Sequence, residues 1–155
     1  MNKMRIISFF ALVLVVLVAC EKELSVEEQF EKDINLIEDY LIENSLQAER
    51  TESGLYYIIN SQGTGAFPTP NSDVTVRYRG YFLDGSTFDQ SVDIGVTFNL
   101  QSVIRGWTEG IPLFREGGEG ILLIPSKLGY GTNSVGSVPK NSVLIFDVEL
   151  LEIVD

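Results

Sequence analysis

The chain of 155 residues contains no histidine and a single cysteine, Cys20. Histidine is the side chain best suited to proton transfer near neutral pH, and cysteine and histidine hold most protein-bound zinc. Their scarcity argues against a hydrolase triad and against a zinc centre. Chemistry based on carboxylates alone remains open, but no acidic pair flanks a recognisable sugar or phosphate motif. We therefore expect neither a metal nor a cofactor.

Basic residues are also scarce, with 11 lysines and arginines against 22 acidic residues and a formal net charge of −11. Nucleic-acid binding depends on a basic face that releases counterions, so we expect no nucleic-acid partner. The same charge is repelled by anionic lipid headgroups. Membrane attachment would therefore depend on a covalent lipid.

The amino terminus has the pattern of a bacterial lipoprotein leader. Lys3 and Arg5 precede an apolar run over residues 6–18, about 13 residues against the ~20 that a spanning helix needs. The run ends in Leu17-Val18-Ala19-Cys20, which resembles a lipobox whose cysteine is acylated. We predict a signal peptide over residues 1–19, lipidation of Cys20, and a lipid-anchored position in the bacterial envelope that faces the periplasm, with the outer membrane favoured. The alternative is an ordinary signal peptide or membrane anchor with an incidental cysteine.

A tether over residues 20–25 leads into a predicted helical extension over residues 26–50. Ser25 and Glu28 have the spacing of a capping box. Apolar residues then recur at helical spacing over roughly 20 residues, namely Val26, Phe30, Ile34, Ile37 and Leu41. Such a stripe must be buried on the main domain, on a second copy or on a partner. A helix docked on its own domain is favoured, and a homodimer stays open.

Residues 51–155 form the predicted main domain. Here apolar residues recur at every second position, as in a strand, and no longer at helical spacing. Val74, Val76 and Tyr78 alternate with polar residues, as in a strand with one solvated face. Asp84-Gly85 indicates a hairpin turn, and further strands are predicted over Glu119–Ile124 and Leu144–Leu150.

A single short helix is predicted over Ile104–Ile111, stopped by Pro112. Residues 63–72 and 129–139 are rich in glycine, proline, serine and asparagine, and are predicted loops. Four or five antiparallel strands with one short helix define an α+β fold.

Five sequence blocks between residues 74 and 150 resemble, in the same order, the FKBP-type peptidyl-prolyl cis-trans isomerase family. They are Val74-x-Val-x-Tyr-x-Gly80, Asp84-Gly-x-x-Phe-Asp89, Val103-Ile-x-Gly-Trp107, Leu128-x-Tyr-Gly131 and Leu144-x-Phe-Asp-Val-Glu-Leu150. The resemblance implies a half-barrel sheet wrapped on the short helix. A chain that combines such a domain with the lipoprotein leader is similar to gliding-motility-associated lipoprotein isomerases.

The resemblance also implies the site residues. Trp107 would form the floor beneath a proline ring, with walls and flap contributed by Tyr78, Phe88, Val96, Phe98, Val103, Ile104, Val138 and Phe146. The backbone N–H of Ile104 and the Tyr130 hydroxyl would bind substrate carbonyls, and Asp89 would lie at the rim, held by Tyr78. Val96 stands where an aromatic is common in the family. The segment after Asp89 is about two residues short and lacks a clear basic partner, a role that Arg79 could fill.

We therefore expect a prolyl isomerase that assists the folding of secreted or envelope proteins, with proline-containing unfolded chains as its partners. The alternative function is a catalytically weak module that binds a proline-bearing loop, or a chaperone subunit of an envelope complex.

Overall fold

The computed structural model of the protein describes residues 23–154. The predicted signal peptide and Cys20 lie outside the described residues. Within residues 23–154 there are two α-helices, α1 (Val26–Glu43) and α2 (Arg105–Gly110), and two 3₁₀ turns, Ile111–Leu113 and Ser126–Leu128. The strands are β1 (Glu49–Arg50), β2 (Tyr56–Ser61), β3 (Asp73–Tyr81), β4 (Thr87–Gln90), β5 (Val96–Asn99), β6 (Glu119–Ile124) and β7 (Leu144–Ile153). No described helix has the length and apolar character needed to cross a membrane.

Helix α1 begins at the predicted capping box. The backbone N–H of Glu28 donates to Ser25 Oγ at 3.2 Å, and the backbone N–H of Ser25 donates to Glu28 Oε2 at 2.8 Å. These two bonds satisfy amides that the first turn of a helix leaves unpaired. The helix ends at Glu43, earlier than the predicted extension over residues 26–50, because Ser45 takes a left-handed φ of 54°.

All strands pair antiparallel in one sheet of order β1-β2-β6-β7-β3-β4, with β5 also pairing β3. The long strands β3 and β7 form its centre, paired from Val74 opposite Ile153 to Tyr81 opposite Ile145. The α+β fold and the hairpin between β3 and β4 agree with the sequence prediction. The sheet has more strands than predicted. Strands β1 and β5 are only two and four residues long, which is too short for an alternation of apolar and polar residues to be recognised in the sequence.

Strand β7 is buried on both faces of the sheet at its start, over Leu144–Phe146. Leu144 and Phe146 belong to a core that includes Trp107 of α2, whereas Ile145 between them belongs to a second core that includes Ile37 of α1. Successive side chains of a strand point to opposite faces. The two helices therefore cover opposite faces of the sheet.

Helix α1 packs on the sheet of its own chain. Ile34, Ile37 and Leu41 are buried there, as the predicted stripe requires. Val26, the first residue of that stripe, is 63% exposed, whereas the acidic Asp33 is fully buried. The buried face is therefore rotated from the predicted one, and most of the apolar stripe is already covered within the chain.

Helix α2 lies against β6. A Cβ on Gly106 would come within 2.6 Å of the Ile124 side chain, so glycine at this position allows the close approach. The sequence predicted that Pro112 stops the helix, but the chain continues directly into the 3₁₀ turn Ile111–Leu113. Proline is tolerated at the start of such a turn because its missing N–H would have no partner there.

Candidate active site

A cavity of about 540 Å³ opens on the face of the sheet that α2 covers. Its size falls within the roughly 300–1,000 Å³ typical of small-ligand sites. The lining residues come from β3, β4, β5, β7, α2 and the loops that follow β5 and β6. They are Tyr78, Phe88, Asp89, Phe98, Ser102, Val103, Ile104, Trp107, Tyr130, Val135, Gly136, Ser137, Val138 and Phe146.

Trp107, which is 4% exposed, is the centre of an aromatic cluster in the cavity. Three rings meet it nearly edge-on: Tyr78 at 5.1 Å and 87°, Phe98 at 5.4 Å and 82°, and Phe146 at 5.3 Å and 79°. Edge-to-face contacts of this kind stabilise aromatic pairs beyond the burial of their area. They hold the indole in a fixed orientation. Its Nε1 is buried and has no hydrogen-bond partner among the described residues.

Phe88 and Phe146 form one wall of the cavity. Their rings meet at 5.5 Å and 87°. A Cβ on Gly80 of β3 would lie 2.7 Å from Phe88 and 2.8 Å from Phe146, so only glycine leaves room for both rings above this strand. The block from Val74 to Gly80 thus contributes both Tyr78 and the space for its neighbours.

Asp89 is held at the edge of the cavity by two hydrogen bonds. The Tyr78 hydroxyl donates to Oδ2 at 2.8 Å, and the backbone N–H of Gln90 donates to Oδ1 at 2.9 Å. Burial, followed by the hydrogen bond to Asp89, raises the pKa of Tyr78 well above its ordinary value. The tyrosine therefore stays a neutral donor to the carboxylate at physiological pH.

Two donors at the cavity have no partner within the described residues. The backbone N–H of Ile104 precedes α2 and donates no hydrogen bond, because the first amides of a helix lack acceptors inside it. The Tyr130 hydroxyl likewise has none, and burial, followed by the negative charge of Asp89, raises its pKa. Both groups are free to donate to a carbonyl of a bound ligand.

A tight hairpin after Tyr130 closes one side of the cavity. Val135 and Val138 exchange two backbone hydrogen bonds of 2.9 Å, and Gly136 between them has a φ of 57°. Val138 is buried, whereas Val135 is 44% exposed at the rim. Sequence reasoning named Val138 but missed Ser102, Val135, Gly136 and Ser137, whose types carry no chemical signal and which enter the cavity only through loop geometry.

Ten of the eleven predicted site residues line this cavity, and Val96 does not. It lies at the start of the edge strand β5, on the same face as Phe98, but its short side chain is 37% exposed and does not reach the cavity. Arg79 is not the basic partner of Asp89 either. As the neighbour of Tyr78 in β3 it points to the opposite face, where it donates to Thr87 Oγ1 at 2.9 Å.

The cavity thus combines a floor and walls of aromatic rings with two unpaired donors, the Ile104 N–H and the Tyr130 hydroxyl. Residues 64–151 match the family model described as FKBP-type peptidyl-prolyl cis-trans isomerase. The chain belongs to this family.

Several relatives are similar over the domain. The FKBP-type peptidyl-prolyl cis-trans isomerase FkpA of Aeromonas hydrophila is 48% identical over 120 residues, which cover 75% of this chain and 45% of that protein. The probable FkpA of Neisseria meningitidis is 46% identical over 121 residues, which cover 75% of this chain and 44% of that protein. This chain thus spans less than half the length of these relatives.

Solved structures agree with the fold. The crystal structure of FkpA from Escherichia coli aligns with a TM-score of 0.71 at 34% identity, covering 83% of this chain and 62% of that one. A peptidyl-prolyl cis-trans isomerase from Pseudomonas syringae aligns with a TM-score of 0.72 at 28% identity, covering 85% and 98%. The second alignment covers nearly the whole of a solved isomerase.

Proposed function

We propose that this protein catalyses the cis-trans isomerisation of X-Pro peptide bonds, with the proline ring bound on Trp107. The observation that carries the proposal is the aromatic cavity with two unpaired donors beside it. The proline ring would fill the apolar part, and the flanking carbonyls would accept from Ile104 N–H and the Tyr130 hydroxyl. Family membership supports the same activity.

The physics of the reaction suits such a cavity. A planar X-Pro amide resists rotation because twisting it removes resonance, and the barrier for a peptide bond is about 18–20 kcal/mol. In the twisted state, nitrogen and carbonyl share less charge, so that state is less polar than the planar one. A dry aromatic cavity therefore stabilises it preferentially. A rate increase of ~10³ to 10⁵ needs roughly 4–7 kcal/mol, which desolvation and one or two oriented hydrogen bonds can supply.

The direct test is the isomerisation rate of an X-Pro tetrapeptide measured by NMR exchange, with the full chain in detergent. We expect catalysed exchange by the wild type and a roughly 10- to 100-fold lower kcat/KM for Trp107→Ala, the loss expected when about 1.5–3 kcal/mol of aromatic burial is removed. Phe67→Ala is the matched control, because Phe67 is a half-exposed aromatic outside the cavity. Peptide binding without catalysed exchange would instead identify a proline-binding module.

We further propose that the protein is lipid-anchored at Cys20 and assists the folding of secreted or envelope proteins at the periplasmic face of the outer membrane. The leader pattern over residues 1–20 supports the anchor. Uncatalysed X-Pro isomerisation takes tens to hundreds of seconds, which gives such an enzyme a role wherever chains fold after export.

The anchor is tested by labelling cells with a radioactive fatty acid and fractionating their membranes. We expect label on the wild type and its recovery with outer membranes. Cys20→Ser should lose both the label and the membrane association. Persistent membrane association of unlabelled Cys20→Ser would instead indicate an uncleaved membrane anchor.

A further inference from the structure

Asp33 is a buried acidic side chain on α1, outside the residues that match the family model. Burying a carboxyl group costs free energy unless hydrogen bonds satisfy it. Here the side-chain amide of Gln29 donates to Oδ1 at 2.6 Å, and the backbone N–H of Ser126 donates to Oδ2 at 2.8 Å. The second bond joins α1 to a segment 93 residues away in the chain.

Ser126 is the first residue of the 3₁₀ turn Ser126–Leu128. Its N–H has no acceptor inside the turn, and Ser126 is only 3% exposed, so water is a poor substitute. Asp33 supplies the missing acceptor. The side chain thereby connects this turn to α1.

The carbonyl group of Ser126 in turn accepts hydrogen bonds from the backbone N–H groups of both residues that flank Tyr130. The N–H of Gly129 donates to it at 3.0 Å, and the N–H of Gly131 donates to it at 2.8 Å. Gly131 has a φ of 59°, in the left-handed region that glycine adopts without strain. Tyr130 lies between these two bonds and lines the cavity.

We infer that Asp33 is a positioning residue for the active site, which acts through the Ser126 backbone to hold the Tyr130 hydroxyl at the cavity. Helix α1 thus contributes to the site from outside the domain that the family model describes. The inference rests on the proposed function for its kinetic readout, and it extends that function to a residue that touches no substrate.

The test is a double-mutant cycle on the full chain in detergent, with Asp33→Ala, Tyr130→Phe and the combination. The probe is the tetrapeptide alanyl-leucyl-prolyl-phenylalanine, and both kcat/KM and the peptide Kd are measured. We expect Asp33→Ala to lower kcat/KM about threefold to tenfold, the range for one lost hydrogen bond, and to lower it less than twofold when Tyr130→Phe is already present. If Asp33→Ala lowered kcat/KM by the same factor with and without Tyr130→Phe, the inference would be overturned.

Two further variants separate positioning from simple helix docking. Ile34→Ala removes a buried apolar side chain of the same helix but not the acceptor of the Ser126 hydrogen bond, and we expect less than a twofold change in kcat/KM despite lower stability. Asp33→Asn keeps one oxygen that can accept from Ser126, so it should recover part of the activity and is usable if Asp33→Ala does not fold. If Ile34→Ala and Asp33→Ala lowered kcat/KM equally at equal stability, the inference would also be overturned.

Failure of the inference on Asp33 can be told apart from failure of the proposed isomerase activity. Absence of turnover in the wild type would contradict the proposed function, and the peptide Kd would then report the same coupling between Asp33 and Tyr130. Additive effects on Kd in that case would overturn the inference as well.

Discussion

The Tyr78 hydroxyl donates a 2.8 Å hydrogen bond to Asp89 Oδ2. This bond joins a ring that contacts Trp107 edge-on to the one acidic residue among those that line the cavity. The bond keeps the carboxylate at the edge of the cavity, so the apolar interior receives no uncompensated charge.

The first prediction concerns this pair. Tyr78→Phe keeps the ring and removes the donor, so we expect a roughly threefold to tenfold loss in kcat/KM, and Asp89→Ala, which removes the acceptor, should have a similar effect. Because both changes break one bond, the double variant should lose less than the product of the two. The measurement is kcat/KM on an X-Pro tetrapeptide for all four proteins, and independent effects would show that the bond is not used in catalysis.

A second prediction separates the Tyr130 hydroxyl from tyrosine hydroxyls elsewhere. Tyr130→Phe should raise KM for the tetrapeptide about twofold to tenfold, because one hydrogen bond to the substrate is lost, with little change in thermal stability. Tyr57→Phe is the matched control, since its hydroxyl donates to Glu49 outside the cavity. An unchanged KM in Tyr130→Phe would remove this hydroxyl from the substrate contacts.

Two isoleucines of α1 test how the helix docks. Ile37 is fully buried against the sheet, and Ile42 on the same helix is 76% exposed. We expect Ile37→Ala to lower the free energy of unfolding by about 2–5 kcal/mol and Ile42→Ala to change it by less than about 0.5 kcal/mol. Urea unfolding followed by Trp107 fluorescence measures both. Similar small effects would mean that the helix does not depend on this contact.

Alkaline pH should weaken the fold. Burial, followed by the hydrogen bond to Glu38, raises the pKa of Tyr56 to about 12, against about 10 in an unfolded chain. The unfolded state therefore loses its proton first. The contribution of Tyr56 to stability is complete below about pH 10 and is lost as pH rises towards 12.

Urea midpoints measured between pH 8 and pH 12 test this prediction. We expect the free energy of unfolding to fall above about pH 10. Its slope against pH should be smaller in Tyr56→Phe than in the wild type. The other tyrosines whose pKa values are raised contribute to the pH dependence that remains, namely Tyr57, Tyr78, Tyr81 and Tyr130. Identical slopes in the two proteins would exclude Tyr56 as a contributor.

Short-range patterns in the sequence were sufficient for the two longest strands and the N-terminal helix. The capping box at Ser25 and the alternation in β3 each depend on neighbours a few residues apart. The family resemblance also identified ten residues that the fold brings to one cavity, eight of which lie in the ordered blocks. Their chemical types, aromatic rings and potential donors, are readable without coordinates.

The tertiary structure alone decided the contacts between distant segments. Asp33 lies three residues after Phe30 and four before Ile37, beside the apolar stripe, but this spacing does not predict its hydrogen bond from Ser126, 93 residues away. Val96 shares a face with Phe98 but ends outside the cavity, because its place at the start of an edge strand is set by pairing with β3. Periodicity states which side of an element a residue occupies, whereas packing across the chain determines what that side meets.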